Sequence, residues 1–297
     1  MDERRRVGGP PHEPVMVAEV LHFLVGGVPR ATVVDMTLGA GGHTHALLAA
    51  GVGNVIGIDR DPDALALAHE GLAPFGERFR SVRTTFAEVD AGVTGGPVDG
   101  VLYDLGVSSM QLDTPERGFG YRADGPLDMR MAGAGVDEPS AADLCNTLPE
   151  GELADLIFEL GDERRSRRIA RAIVRRRPIT TTDQLAGVIV GAVGRRPGGP
   201  HPARRTFQAL RIAVNRETEE LAASLPQAAG LLAPGGRVVT IAYHSVEDRI
   251  VKRAFRDDDR LTVLTRKPVR PSDEEVARNP RSRSAILRAA ERAEAAA

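Results

Sequence analysis

The residues with the clearest chemical potential lie in four short blocks. Asp35-Met-Thr-Leu-Gly39-Ala-Gly41-Gly42-His43 combines an acid, three glycines and the start of a helical pattern. Glycines in such a turn let backbone approach a ligand closely, and a helix N-terminus offers unsatisfied N–H groups. The pattern is not a dinucleotide fingerprint, because Thr44 stands where the last glycine would fall. Nor is it a phosphate loop, since no Lys-Ser/Thr follows. An acid before the glycines suits a nucleoside cofactor carrying a positive amino group, such as S-adenosylmethionine; the alternative is a tight turn. Asp59 lies 20 residues beyond Gly39 and ends a β-branched run. There a carboxylate can accept both hydroxyls of a ribose, or it can cap the next helix, a role that Asp61 fills better.

Asp104-Leu-Gly-Val-Ser108-Ser109-Met-Gln111 also follows a strand-like run. At the carboxyl edge of an open sheet, Asp104 could accept hydrogen bonds from an exocyclic amine and hold its lone pair toward a methyl donor. It could also merely order the glycine turn behind it. His244-Ser245-Val-Glu247-Asp248 follows a later strand, with His244 a substrate-contacting or structural residue. No G-x-S-x-G elbow accompanies Ser245, and no H-E-x-x-H or C-x-x-C spacing accompanies the histidines. Neither an activated serine nor a metal is therefore expected.

The elements that would position these blocks alternate regularly. Strands are expected at Ala31–Asp35, Asn54–Asp59, Arg80–Thr84 and Val98–Asp104. Helices are expected at His43–Ala50 and from Asp61-Pro62 onward, the latter with Leu65, Leu67 and Leu72 along it. This alternation predicts a doubly wound α/β sheet with parallel strands. Residues 112–140, rich in Gly, Pro and Asp, read as a long functional loop. Helical periodicity then runs from Glu150 to about Val193 and again around Phe207, Leu210 and Val214. A fifth strand is expected at Gly235–Tyr243, and a final antiparallel pair at Leu261–Thr265 and Ser284–Ala289. The expected organisation is a sheet domain over 1–110 and 206–297, interrupted by a helical insert over 111–205 that recognises the substrate.

Composition narrows the classes. A chain of 297 residues with 42% hydrophobic and 27% charged residues can build a core, which excludes collagen-like and wholly disordered readings. No run approaches the roughly 18 apolar residues of a membrane helix. Met1–Arg6 is charged without an apolar core, so no secretory leader is expected. One cysteine, Cys145, fits a reducing cytoplasm. Among 39 basic residues only Lys252 and Lys267 are lysines; arginine favours phosphate contact, and it is also what a GC-rich genome encodes. The net charge of −2 hides an asymmetry. Residues 163–216 hold 14 arginines against Glu163 and Asp183, a net +12, which leaves −14 for the remainder. Arg164, Arg165, Arg168, Arg171 and Arg205 are candidates for RNA phosphate contact. The alternative is a solvated helix face paired with the acids at 150–162 and 217–220.

Several blocks together resemble one family, the bacterial 16S ribosomal RNA cytosine-N4 methyltransferases (RsmH, or MraW). They are His12-Glu-Pro-Val-Met16 with Glu19-Val-Leu21, Asp35–His43, Gly57-Ile-Asp-Arg-Asp-Pro62, Asp104–Ser109 with Gln111-Leu-Asp113, and Glu116-Arg-Gly-Phe119. Asp124–Met131, Arg168–Ile173, His201-Pro-Ala203 with Arg205–Ala209, His244–Lys252 and Asn279–Ser284 follow in order. Met110 and Val246 depart from the common proline and leucine. Leu105-Gly106 replaces the prolines of the Asp/Ser-Pro-Pro-Tyr signature of amino-methylating DNA enzymes, which weakens that analogy for Asp104.

The resemblance implies a class I S-adenosylmethionine-dependent methyltransferase sheet of Rossmann-like type. It implies cofactor contact by Gly41, Gly42, His43, Asp59, Phe86, Asp104 and Gln111, although Phe86 also reads as an ordinary core aromatic. It further implies transfer to N4 of a cytidine in the decoding centre of 16S ribosomal RNA within the small subunit, in the cytoplasm, without metal or membrane. Two other classes fit parts of the sequence. A non-catalytic RNA-binding or assembly factor is opposed by the intact Asp35, Asp59 and Asp104, and a nicotinamide-dependent reductase is opposed by Thr44. Oligomeric state stays open, a homodimer included.

Overall fold

The computed structural model describes residues 13–26, 29–133 and 135–294. His12 and the charged segment Met1–Arg6 lie outside them. Seven strands form one sheet: β1 (Thr32–Asp35), β2 (Asn54–Asp59), β3 (Phe79–Arg83), β4 (Val98–Asp104), β5 (Leu232–Ala242), β6 (Leu261–Val263) and β7 (Ile286–Arg292). Their order is β3-β2-β1-β4-β5-β7-β6. The first five run parallel, and β7 runs antiparallel to both β5 and β6.

Strand alternation explains the layers. Val33, Val55, Leu102, Val239 and Leu287 join one core with Val20, Leu24, Leu47, Leu48 and Leu72 from helices Val17–Leu24, Gly42–Ala49 and Pro62–Leu72. Val34, Ile56, Val101, Tyr103 and Val238 point the other way, into a core completed by Leu221, Leu225, Val251 and Phe255. Residues of opposite parity in each strand thus feed opposite faces, as the period-2 pleat requires. All three leucines expected along the second helix lie on Pro62–Leu72, where Ala64, Ala68 and Leu72 are buried and Leu67 is 44% exposed. At about 100° per residue, 64, 68 and 72 share one stripe and Leu67 falls about 60° outside it, on the flank next to Ala64.

The chain divides into two compact units. The first holds the sheet and comprises the residues through Asp59, Asp63–Gly106, and those from Leu221 onward. The second comprises Arg60–Pro62 and Val107–Glu220. These limits differ from the expected breaks at 110/111 and 205/206. The helix Arg204–Asn215 belongs to the second unit because Phe207, Leu210 and Val214 pack with Leu153, Ile157, Ile169, Ile173 and Ile189.

Within the second unit, 112–140 is irregular but tightly anchored. Leu127 N–H donates to Thr180 O, Met129 N–H to Arg117 O and Ala141 N–H to Asp128 O. Phe119, Leu127 and Met129 enter the helical core. Gly125 marks the closest backbone approach: a Cβ there would lie 2.0 Å from the Pro115 carbonyl oxygen. Cys145 is buried in the same core, where burial pushes its thiol up to about 12. Among the described residues no helix is long and apolar enough to cross a membrane.

Candidate active site at the carboxyl edge of the sheet

The three expected acids stand at different depths. Asp35 pairs with Gly57 on β2 and Leu102 on β4, so Asp59 and Asp104 each extend two residues further along the same direction. Asp35 is consequently buried, and its carboxylate accepts from Thr44 Oγ1 at 2.8 Å and from Thr37 N–H at 3.2 Å. Burial pushes this carboxyl above its ordinary value, against the opposing pull of His43 and of the two hydrogen bonds. Asp35 therefore knots the glycine turn to the first helical turn rather than lining the sheet edge, and the reading of it as a partner for a cofactor amino group is corrected.

Of the three glycines in the turn only Gly39 has space where a side chain would stand: Gly41 is buried against Leu72 and Ala68, and Gly42 lies against Pro14. Gly39 and Gly41 have φ of 52° and 84°, the left-handed region that glycine occupies without strain. Gly41 is the N-cap of Gly42–Ala49 and offers no side-chain cap to the N–H groups of the first turn. Asp59 Oδ2 accepts the Gly39 N–H at 2.8 Å, which locks the turn onto the end of β2. Phe86 follows β3, packs edge-on against Tyr103 with centroids 5.9 Å apart, and is partly buried against the second sheet core.

Asp104 is the centre of a small network. Its backbone N–H donates to Thr37 Oγ1 at 2.6 Å, Tyr243 Oη donates to its Oδ1 at 2.7 Å, and His43 Nε2 lies 3.3 Å from its Oδ2. The Asp104 side chain keeps 24% of its exposure while His43 is buried. Each carboxylate oxygen has a second lone pair, so Asp104 retains acceptor capacity toward solvent. Burial disfavours a charged His43, yet the adjoining Asp104 and the charge of Asp35 outweigh it and raise the His43 pKa. Burial, and then the charge and hydrogen bond of Asp104, hold the Tyr243 hydroxyl proton well above its ordinary pKa.

These directions give a testable titration. His43 is expected to titrate above the ordinary imidazole value in an NMR pH series, and Asp104→Asn is expected to move its midpoint downward. By linkage, the stability from this pairing is full below the ordinary histidine value and disappears as pH rises through the elevated one. A midpoint indifferent to the substitution would remove Asp104 as the cause.

Tyr243 and Thr37 were not singled out from the sequence as site residues. Tyr243 carried a usable signal, a hydroxyl-bearing aromatic at the end of the last parallel strand. His244 is placed as the cap of Ser245–Asp257: its Nδ1 accepts the Glu247 N–H at 3.3 Å, and its Nε2 lies 3.0 Å from Glu247 Oε1. Both ring nitrogens thus face Glu247.

In the second unit, Gln111 is buried. Its Nε2 donates to Asp61 Oδ2 at 2.8 Å, and its Oε1 accepts the Ser108 N–H at 3.1 Å. The basic cluster separates into two kinds. Arg165 contacts Glu163 and the Val193 carbonyl, Arg171 reaches Glu150, and Arg205 donates to the Asp162 carbonyl. Arg164 and Arg168 are exposed, with no side-chain partner among the described residues. Arg168 projects from Ser166–Arg176, whose other face buries Ile169 and Ile173. No three His, Cys, Asp or Glu side chains among the described residues are grouped to hold a metal.

The strand order, with β7 reversed between β5 and β6, and the glycine turn between β1 and its helix define a class I methyltransferase of the Rossmann-like α/β type. The chain matches the MraW methylase family over residues 10–293, and it belongs to that family. It is 52% identical to the Ribosomal RNA small subunit methyltransferase H of Methylobacterium sp. strain 4-46, across 98% of this chain and 94% of the relative. The protein of the same name from Dehalococcoides mccartyi strain 195 is 48% identical, across 95% of this chain and 86% of the relative.

Proposed function

We propose that this chain methylates small-subunit ribosomal RNA with S-adenosylmethionine as donor, and that the acceptor is the N4 amine of a cytidine in the decoding centre of 16S RNA. The observation that carries the reading is Asp104, a part-exposed carboxylate held beside Tyr243 and His43 at the carboxyl edge of the sheet, where the glycine turn after β1 also lies. Family membership supports the RNA methyltransferase activity. The N4 and decoding-centre assignments rest on the motif resemblance and on the chemistry of Asp104.

The residues present fit the donor. Gly39 leaves space for close approach to the turn backbone, Asp59 offers a carboxylate at the end of β2, Phe86 offers an aromatic wall, and His43 and Asp104 border the turn, while the places of Gly41 and Gly42 rest on the resemblance. The place of Gln111 in this set rests on the resemblance. When bound, S-adenosylmethionine supplies an electrophilic methyl group on a sulfonium.

Asp104 accepts N–H from the exocyclic amine, which draws the amine lone pair out of ring conjugation and aims it. Tyr243 and His43 fix the carboxylate so that little reorganisation is needed as the amine becomes positive. A cytosine must leave its stack to reach such an edge. Arg164 and Arg168, with Arg165, Arg171 and Arg205, contribute phosphate contact from the second unit, and His244 orders the loop behind Tyr243.

The deciding experiment is mass spectrometry of nucleosides from small-subunit RNA of a strain lacking the gene. N4-methylcytidine is expected to fall to background and to return when the chain is supplied. An unchanged level would end the assignment and favour a non-catalytic RNA-binding role.

A further inference from the structure

Three basic side chains of the first unit converge on a groove that the site above does not use. The groove holds about 520 Å³ and is lined by Arg249, Lys252 and Arg270 together with the Ser245 and Ser284 side chains. Arg249 and Lys252 are three residues apart on Ser245–Asp257 and so share one helix face. Arg270 enters from the opposite wall, where its neighbour Val269 exchanges two backbone hydrogen bonds with Leu287 of β7 at 2.9 and 3.0 Å. Its backbone is therefore anchored on the sheet.

Charge in this groove is uncompensated. Asp248 lines it too, but that carboxylate is held by Arg288 in a two-pronged pair at 2.6 and 3.1 Å. Several arginines of the unit are engaged internally, among them Arg78 with the carbonyls of Leu48, Val52 and Gly53, Arg237 with Glu291, Arg260 with Asp258, and Arg278 with Glu13. Arg249, Lys252 and Arg270 have no side-chain partner among the described residues, and all three are exposed. Three like charges held together repel one another, and an anionic ligand would relieve that repulsion.

Position indicates which anion. Tyr243 lines the groove while its hydroxyl bonds Asp104, so the groove begins beside the candidate reactive carboxylate. A strand whose target base reached Asp104 would continue as sugar and phosphate. We propose that this groove is a backbone subsite that binds about two phosphates of the RNA strand flanking the target nucleoside, with Arg249, Lys252 and Arg270 as the phosphate contacts. The inference rests on the RNA reading above and adds a contact surface on the sheet unit itself.

The test uses the full chain and a single-stranded oligoribonucleotide of the small-subunit sequence around the methylated cytidine. Affinity is measured across a salt series for wild type, for Arg249→Ala, Lys252→Ala and Arg270→Ala combined, and for the charge-keeping combination Arg249→Lys, Lys252→Arg and Arg270→Lys. Alanine replacement is expected to reduce the slope of log K against log salt by roughly 1 to 2 and to raise KM for RNA about tenfold or more. Cofactor affinity by calorimetry stays at the wild-type value, and the charge-keeping variant stays close to wild type throughout.

An unchanged salt slope overturns the subsite. So does equal loss in the charge-keeping variant, which would make the effect one of packing. Loss with assembled subunits but not with the oligoribonucleotide would assign the groove to a ribosomal protein and also overturn it. Failure of the wild-type chain to methylate small-subunit RNA in any form would instead defeat the proposed activity, while the slope comparison still reports on the groove.

Discussion

Asp104→Asn is expected to lower kcat by about 10² to 10⁴-fold, the range a positioned proton acceptor contributes, while cofactor affinity changes far less. The asparagine keeps a carbonyl oxygen that can accept the Tyr243 hydroxyl, now 2.7 Å from Oδ1, so the local fold has no reason to collapse. What it loses is the negative charge facing the amine and His43. Asp104→Ala should be at least as inactive, with an added stability loss of about 1–3 kcal/mol from the orphaned tyrosine hydroxyl. Single-turnover methylation, paired with cofactor titration and thermal unfolding, separates these effects. Near-normal turnover in Asp104→Asn would remove the residue from the chemistry.

Arg117→Ala should produce the largest stability loss of any single substitution considered, about 3–5 kcal/mol, because it strands a buried charge. Asp61 has a fully buried side chain. Arg117 approaches it with two nitrogens, at 2.9 and 3.3 Å, and also donates to the Arg130 and Met131 carbonyls. Gln111 contributes one amide to the same carboxylate, which cannot replace a guanidinium. The loss should appear in denaturant unfolding as a lower midpoint, and as faster amide exchange across 112–140. Adding Asp61→Asn should recover part of it, since the uncompensated charge then disappears. A loss below about 1 kcal/mol would mean that water or rearrangement compensates the carboxylate.

Much of the fold was legible because its signals are local. β-Branched runs ending in Asp35, Asp59 and Asp104 announced three parallel strands, and the glycine turn announced the loop between the first strand and its helix. Gln111 and Asp61 were both recognisable as polar residues in motif blocks, but their hydrogen bond links positions 50 residues apart and no periodicity encodes it. The 112–140 segment is the loop its glycines and prolines indicate, but nothing local showed that Leu127 and Met129 are core residues or that Gly125 lies against the Pro115 carbonyl. Irregular backbone is stable when long-range hydrogen bonds satisfy it.

The first three acids show where sequence ends and tertiary structure begins. Sequence alone determined that Asp35, Asp59 and Asp104 terminate strands, because strand length and turn chemistry are local properties, and it placed the chain in its family through the order of its motifs. Only the sheet register decided that Asp35 lies a layer below the other two, tied to Thr37 and Thr44, while Asp104 meets Tyr243 and His43 from distant parts of the chain. The arginines follow the same division. Composition revealed their clustering over 163–216, but burial and neighbouring acids decided which guanidinium groups are engaged and which face solvent. Those neighbours come together through packing, and a linear charge count cannot represent distance.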